Sequence, residues 1–323
     1  MKVAVLSFAH ERAETYARLL RDLPDVELVA ADPDGSPADQ ERDRAAAERL
    51  GVSYVDDWDE LFSPRPAAVV ITSEVGRHLA LIQQVAEAEA QVLVEYPTAA
   101  NLADLKEMVD HCDMGGVRLT LATPAAYSEA FAAVRKGIAD GVVGSLTTIR
   151  GSYNTEPGGE IGALGANAPY LLDLVDTVLD GEPAQQVYAQ TNNVLSGQSG
   201  VESAAVLTVR YRNGMVASFD CSWTLAADAG PTLTFVGDKA SVEYNASPQL
   251  LGGFDAATGA ERREPGGAEE YSLMLKDFLN TVETGEGIGP DGQTALRTAR
   301  IIQAAYESAR TGQPVDLAVP AAR

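Results

Sequence analysis

Lys2-Val3-Ala4-Val5-Leu6-Ser7-Phe8-Ala9-His10-Glu11-Arg12-Ala13 decides how the first third of the chain is read. An unbroken apolar run, Val3 to Leu6, gives way to a polar connection and then to helix-period residues over Arg12–Leu20. A short apolar run feeding a helix is the sequence mark of a βαβ unit, and here it recurs. Strands are expected at Lys2–Leu6, Val26–Ala31, Ala67–Thr72, Gln91–Glu95 and Val117–Ala122. Helices are expected between them at Arg12–Leu20, Ala38–Leu50, Arg77–Glu87 and Leu102–Asp110. Strands that are apolar nearly throughout belong to a parallel sheet covered on both faces, so the first part is α/β and doubly wound.

Near Pro124 the pattern changes. A helix is expected over Ser128–Ile138, ending at Gly141 and Gly144, followed by a strand Ser145–Tyr153, a Gly-rich stretch from Gly158 to Gly165 and a helix Pro169–Leu179. Alternating segments Val206–Tyr211 and Met215–Cys221 flank Arg212-Asn213-Gly214, and Asn-Gly between alternating runs is a strong hairpin signal. Further strands, Thr232–Val236 and Ser241–Tyr244, flank Gly237-Asp238, and helices near Tyr271–Glu283 and Thr294–Ala309 close the chain. The expected division is residues 1–122, doubly wound, and residues 123–323, an α+β domain with an open, mostly antiparallel sheet.

With 323 residues and 46% hydrophobic content the chain can bury a large core. Its 47 acidic and 24 basic residues leave a formal charge of −23, which repels nucleic acid and anionic membranes at long range. Such acidity suits a halophilic source; a GC-rich genome that favours Asp, Glu and Arg over Lys gives the same composition. Cys112 and Cys221 are far apart and show neither metal nor redox spacing. No metal-ligand cluster or nucleophile–base pair is read from the sequence. The first apolar run is too short for a secretion signal and nothing later reaches membrane-spanning length, so a cytoplasmic protein is expected.

Several short sequences then fall in a telling order: the βα turn Ser7–Ala13, Asp32-Pro33-Asp34, Thr72-Ser73 with His78, Val92 through Pro97, Gly137 to Gly144, Gly162–Asp173, and Glu307 to Gly312. In that order and spacing the chain resembles the GFO/IDH/MocA oxidoreductases. The resemblance implies a Rossmann-like dinucleotide-binding domain, a nicotinamide cofactor and a sugar, polyol or related substrate. It also implies a homodimer or homotetramer formed through the C-terminal sheet.

The chain departs from that family where chemistry is concentrated. The G-x-G-x-x-G positions read Ser7, Ala9 and Arg12, and the added Cβ atoms should push a diphosphate outward or forbid a positive φ. The Ser7 hydroxyl and the cations His10 and Arg12 are the candidate replacements, although a plain strand-to-helix connection accounts for the same residues. Asp32 stands where a carboxylate accepts the adenosine ribose hydroxyls, and no arginine follows it directly, which argues for NAD over NADP. Asp-Pro-Asp is also an ordinary turn. Thr72, Ser73 and His78 take the place of the turn that the family sets near the nicotinamide; a histidine at a helix start is also commonly solvated or capping.

Glu95-Tyr96-Pro97 takes the place of the family's Glu-Lys-Pro, with tyrosine for the lysine that assists proton transfer. Glu95 is grouped with the cofactor-binding residues. The family's helical Asp and His, four residues apart on one face, read Ala166 and Tyr170 here. Tyr96 and Tyr170 are therefore the candidate proton-transfer groups, each with an alternative in plain packing. The expected function is an NAD-dependent oxidoreductase with non-standard catalytic residues. Because several catalytic positions have changed together, the alternative is a non-catalytic dinucleotide- or sugar-binding regulatory or partner protein.

Overall fold

The computed structural model describes residues 1–157, 161–197, 200–224, 230–246 and 268–318. Residues 158–160 of the expected Gly-rich stretch lie outside that set. The chain divides into two compact units, Met1–Thr123 with Tyr271–Leu296, and Pro124–Glu270 with Arg297–Arg323.

The first unit holds β1 (Lys2–Leu6), β2 (Glu27–Ala31), β3 (Ser53–Val55), β4 (Ala68–Ile71), β5 (Gln91–Val94) and β6 (Leu119–Leu121) in one sheet of order β3-β2-β1-β4-β5-β6. Every pairing in it is parallel. Val3 to Leu6, Ala68 to Ile71 and Val92 to Val94 are all 0% exposed, as strands covered on both faces require. The crossovers are α1 (Ala13–Arg21), α2 (Pro37–Leu50), the short α3 (Trp58–Leu61), α4 (His78–Glu87) and α5 (Leu102–Gly115). Ser36 accepts the Asp39 N–H and Asp39 returns the bond, a capping box that fixes where α2 begins just after β2. The order reverses between β1 and β4, which makes the carboxyl ends of β1, β2 and β4 the place where an open α/β sheet takes a ligand.

In the second unit, α6 (Glu129–Ala139) precedes β7 (Leu146–Thr155), α7 (Ala163–Leu179), β8 (Ala184–Asn192), β9 (Ala204–Tyr211), β10 (Val216–Trp223), β11 (Thr232–Gly237), β12 (Ser241–Asn245) and β13 (Val315–Asp316). The sheet runs β12-β11-β7-β10-β9-β8-β13. It is mixed and mostly antiparallel: β7 and β10 pair in parallel at its centre, whereas the neighbouring pairs are antiparallel. The hairpin turn lies where Asn-Gly placed it, with Gly214 at φ +89° and Asn213 Oδ1 accepting the Met215 N–H at 3.0 Å. Two helices, α8 (Ala268–Thr284) and α9 (Gly292–Thr311), follow β12 in sequence.

One sequence boundary moves for a clear reason. The helix expected from Pro169 begins six residues earlier, at Ala163, with Pro169 inside it. Its first turn is satisfied from elsewhere: the Ala163 N–H donates to the Glu202 carbonyl at 2.9 Å and the Leu164 N–H to Glu202 Oε1 at 2.9 Å. Tyr306 Oη donates to that same carboxylate oxygen at 3.0 Å. A Cβ on Gly162 would lie 2.1 Å from the Glu202 carboxyl carbon, so this glycine gives room to the group that caps the helix.

Candidate functional site

The site is built on the carboxyl edge of the first unit's parallel sheet. β1 ends at Leu6, and Ser7 turns the chain with φ +68°. The expectation that a side chain there forbids a positive φ is thus corrected. Ser7 holds the left-handed turn because its own atoms and its neighbours fix it: its N–H donates to the Ala31 carbonyl at 2.9 Å, and its Oγ accepts the Ala9 N–H at 3.3 Å. Thr72, at the end of β4, donates from Oγ1 to the Ser7 carbonyl at 2.6 Å. A short polar side chain that bonds locally is what lets a non-glycine residue sit there. Thr72 is fully buried and pins the loop, while Ser73 Oγ donates to the Glu74 carbonyl at 3.4 Å.

Beyond Ser7, the His10 N–H donates to the Thr72 carbonyl at 3.0 Å and His10 Nδ1 accepts the Arg12 N–H at 3.2 Å. With Nδ1 occupied as an acceptor, its 3.9 Å separation from Glu95 Oε1 is proximity rather than a hydrogen bond. Arg12 precedes α1 without a side-chain cap, and the guanidinium lies 3.8 Å from Glu95 Oε1 and 5.9 Å from the centre of the Tyr271 ring.

Glu95 is 1% exposed. Its Oε1 accepts the Tyr16 hydroxyl and its Oε2 the Tyr96 N–H at 2.9 Å. Burial, then the adjacent Glu95 charge, raises the Tyr16 pKa well above its ordinary value, so this hydroxyl stays protonated and donates. Tyr16 comes from the buried stripe Ala13, Tyr16, Ala17 and Leu20 of α1, a placement that the helical period gives but whose partner it does not. Glu95 thus acts as a buried anchor beneath Tyr96, whose own hydroxyl lies 3.2 Å from Thr123 Oγ1. The bond from Tyr96 to Pro97 is cis.

His78 differs from its expected role as a cofactor contact. It is 1% exposed, with Nδ1 2.9 Å from the Thr98 carbonyl and Nε2 3.0 Å from the Ser73 carbonyl. Its two ring nitrogens face carbonyls of the segments after β4 and after β5, so His78 sits between them as a positioning residue. A neutral imidazole satisfies one of the two carbonyls; a second proton would satisfy both, but burial opposes it and lowers the pKa. The folded-state value therefore lies below the unfolded one of about 6.5. The associated stability is fully present above that pH and is lost as pH falls through the folded pKa. Wild-type protein should lose melting temperature between pH 7 and 5.5, and His78→Gln should show a shallower loss; equal slopes would contradict the assignment.

Asp32, at the end of β2, is 1% exposed and bound through both oxygens by the Arg77 guanidinium, with the Nη1–Oδ2 contact at 3.2 Å. No arginine follows Asp32 closely in sequence, yet Arg77 arrives from the segment after β4. Arg42, on α2, makes a second such approach, 3.2 Å from Ser7 Oγ while paired with Asp39 at 2.8 Å and Asp43 at 2.7 Å. Sequence reasoning missed both arginines. The signal for Arg77 was only its place beside His78; for Arg42 there was none.

These residues fit a dinucleotide, with one reservation written into the loop. The left-handed turn is retained at Ser7, α1 has no side-chain cap, and Asp32 keeps lone pairs beyond the two that Arg77 takes. Against this, the Ala9 N–H is taken by Ser7 Oγ and the His10 N–H by the Thr72 carbonyl, so the loop offers fewer amides to a phosphate than a glycine loop. In the second unit Tyr170 lies on α7, its hydroxyl accepts the Ala125 N–H at 3.3 Å, and its ring sits 5.6 Å from that of Tyr153. Asn167, 1% exposed, donates to the Tyr153 carbonyl at 3.1 Å and so ties α7 to β7. Cys112 and Cys221 are free, buried thiols whose pKa burial pushes up to about 12. Among the described residues no group of three or more His, Cys, Asp or Glu could hold a metal, and no helix is long and apolar enough to cross a membrane.

A doubly wound domain with a ligand edge of this kind, joined to an open mixed sheet, defines the class: a two-unit α/β protein of nucleotide-binding type. Residues 8–123 match the oxidoreductase family with an NAD-binding Rossmann fold, and residues 131–243 match the GFO/IDH/MocA C-terminal domain. The chain belongs to the GFO/IDH/MocA family. It is 26% identical over 325 residues to a D-apiose dehydrogenase of Paraburkholderia graminis, spanning 92% of this chain and 84% of that protein. It is 22% identical over 320 residues to a myo-inositol 2-dehydrogenase of Thermotoga maritima, spanning 92% and 93%. The crystal structure of GenD2 from gentamicin A biosynthesis, in complex with NAD, has the same fold: TM-score 0.83 at 20% identity, over 99% of this chain and 97% of that one.

Proposed function

We propose that this protein is an NAD-dependent oxidoreductase acting on a sugar, polyol or related small molecule, with Tyr96 and Tyr170 as its proton-transfer groups. The observation that carries the reading is the left-handed turn at Ser7, directly after β1, where a dinucleotide-binding loop has its first glycine. The family and the substrates of the D-apiose and myo-inositol enzymes support the substrate class. Asp32 would receive the adenosine ribose hydroxyls, and the start of α1 with His10 and Arg12 would hold the diphosphate. When bound, the nicotinamide supplies or accepts the hydride. The chain's own part is to place the substrate hydroxyl or carbonyl oxygen and to move the proton at that oxygen.

The Tyr96 Oη is the group we assign to that proton. Glu95 fixes the Tyr96 backbone from below, and Thr123 Oγ1 stands 3.2 Å from the phenol as a hydrogen-bond partner. Oligomer formation through the open face of the second unit's sheet belongs to the same proposal.

A second reading has its own observation. Because Ser7 Oγ and the Thr72 carbonyl already take the Ala9 and His10 loop amides, the domain could serve as a sensor or partner without turnover. Assays that follow nicotinamide absorbance over a panel of aldoses and cyclic polyols separate the two. The enzyme reading expects turnover that falls at least about tenfold in Tyr170→Phe, as loss of a general acid–base group should do. Absence of turnover across the panel, with cofactor bound, would favour the sensor.

A further inference from the structure

We propose that Arg77 is a latent 2′-phosphate anchor, and that Asp32 keeps it masked and thereby sets the preference for NAD over NADP. The inference rests on the dinucleotide reading above. Asp32 carries one of the most completely buried carboxylates at the sheet edge, and Arg77 grips both of its oxygens. The pair joins the ends of β2 and β4, passing over the strand between them in the order β2-β1-β4.

The surroundings fix the Asp32 backbone and leave room for its carboxylate. The Gly35 N–H donates to the Asp32 carbonyl at 3.0 Å, and a Cβ on Gly35 would lie 2.4 Å from Asp32 Oδ2, so only glycine leaves room for the group. Gln40 Nε2 donates to the carbonyls of Asp32 at 3.1 Å and Pro33 at 3.2 Å.

Charge then decides between the two dinucleotides. Glu74 lies 3.5 Å from Arg77, and Asp39 and Asp43 pair with Arg42. Four carboxylates share two guanidiniums. Burial pushes the Asp43 pKa up, and even with that group protonated the cluster is net negative. Ribose hydroxyls can donate to the Asp32 lone pairs that Arg77 leaves open. A 2′-phosphate, with a charge of about −1.5 to −2, meets a negative cluster whose planar, phosphate-matching guanidinium is already paired. Arg77, in the turn that follows β4, is 24% exposed even when paired, so without the Asp32 carboxylate its fork is open to a 2′-phosphate.

The test is an equilibrium titration with NADH and with NADPH, followed by nicotinamide fluorescence, on wild type, Asp32→Ser, Arg77→Gln and the double variant. Asp32→Ser should bind NADPH at least about tenfold more tightly than wild type does, the range expected for a new charge-assisted hydrogen bond, and NADH correspondingly less tightly. Adding Arg77→Gln should erase the NADPH gain, while Arg77→Gln alone should gain none. Asp32→Asn, which keeps the side chain's shape, should shift in the same direction and stands in if the serine variant melts early. Wild type that binds NADH, with no NADPH gain in either Asp32 variant, overturns this inference alone, as does a gain that survives Arg77→Gln. Wild type that binds neither dinucleotide overturns the underlying reading and this inference with it.

Discussion

Replacing Tyr96 by phenylalanine should lower kcat by about 10²- to 10⁴-fold, the usual contribution of a positioned acid–base group, while NADH binding stays within about twofold of wild type. The argument is local. Tyr96 follows Glu95 directly, its N–H is held by a buried carboxylate at 2.9 Å, and its hydroxyl pairs with the hydroxyl of the buried Thr123. Removing one oxygen leaves the ring, the Glu95 contact and the Pro97 turn in place, so stability should fall by no more than the roughly 1 kcal/mol of the one hydrogen bond to Thr123. A phenol with an ordinary pKa near ~10 donates a proton readily but accepts one from substrate only when its anion is stabilised. Reduction of a carbonyl should therefore be the easier direction at neutral pH. Unchanged kcat in Tyr96→Phe would remove this residue from the chemistry.

Glu95→Ala should have the largest effect on stability. The carboxylate is 1% exposed and serves Tyr16, Tyr96 and, at 3.8 Å, Arg12. Breaking a buried pair by removing one partner costs roughly 3–5 kcal/mol. Arg12 is 33% exposed, so water recovers part of that charge and the lower end applies. About 3 kcal/mol corresponds to a fall of roughly 6–12 °C in melting temperature for a domain of this size. Glu95→Gln keeps the shape and one acceptor and should lose about a third as much, close to the price of one hydrogen bond. A thermal scan in which Glu95→Ala melts with wild type would show that Glu95 is not the anchor described.

Much of this could be read before any coordinates, and the misses have physical causes. The parallel sheet was legible because β1, β4 and β5 are apolar on both faces, whereas β3 is three residues long and carries Ser53 and Tyr54. β8 is hard to see because its inward residues, Val187 and Ala189, are only two and are framed by Gln185, Gln186 and Gln190. The early start of α7 depends on Glu202, some forty positions later, and no local pattern shows such a cap.

At the candidate site the loop was legible and its conformation was not, because the fit of serine at φ +68° depends on Ala31 of β2 and on Thr72 just after β4. Asp32 was visible from its spacing, but its partner was not: Arg77 is 45 residues away and meets it only when β2 and β4 flank β1. The type and position of His78 suggest a cofactor contact; its burial between two carbonyls is a property of the folded chain alone.

The central claim is that the loop at Ser7 still receives a dinucleotide. Equilibrium titration of the wild-type protein with NADH, followed by nicotinamide fluorescence in concentrated salt, tests it most directly. The account predicts saturable binding at micromolar to sub-millimolar cofactor, with NADPH weaker than NADH. No binding of either at millimolar concentration would contradict it.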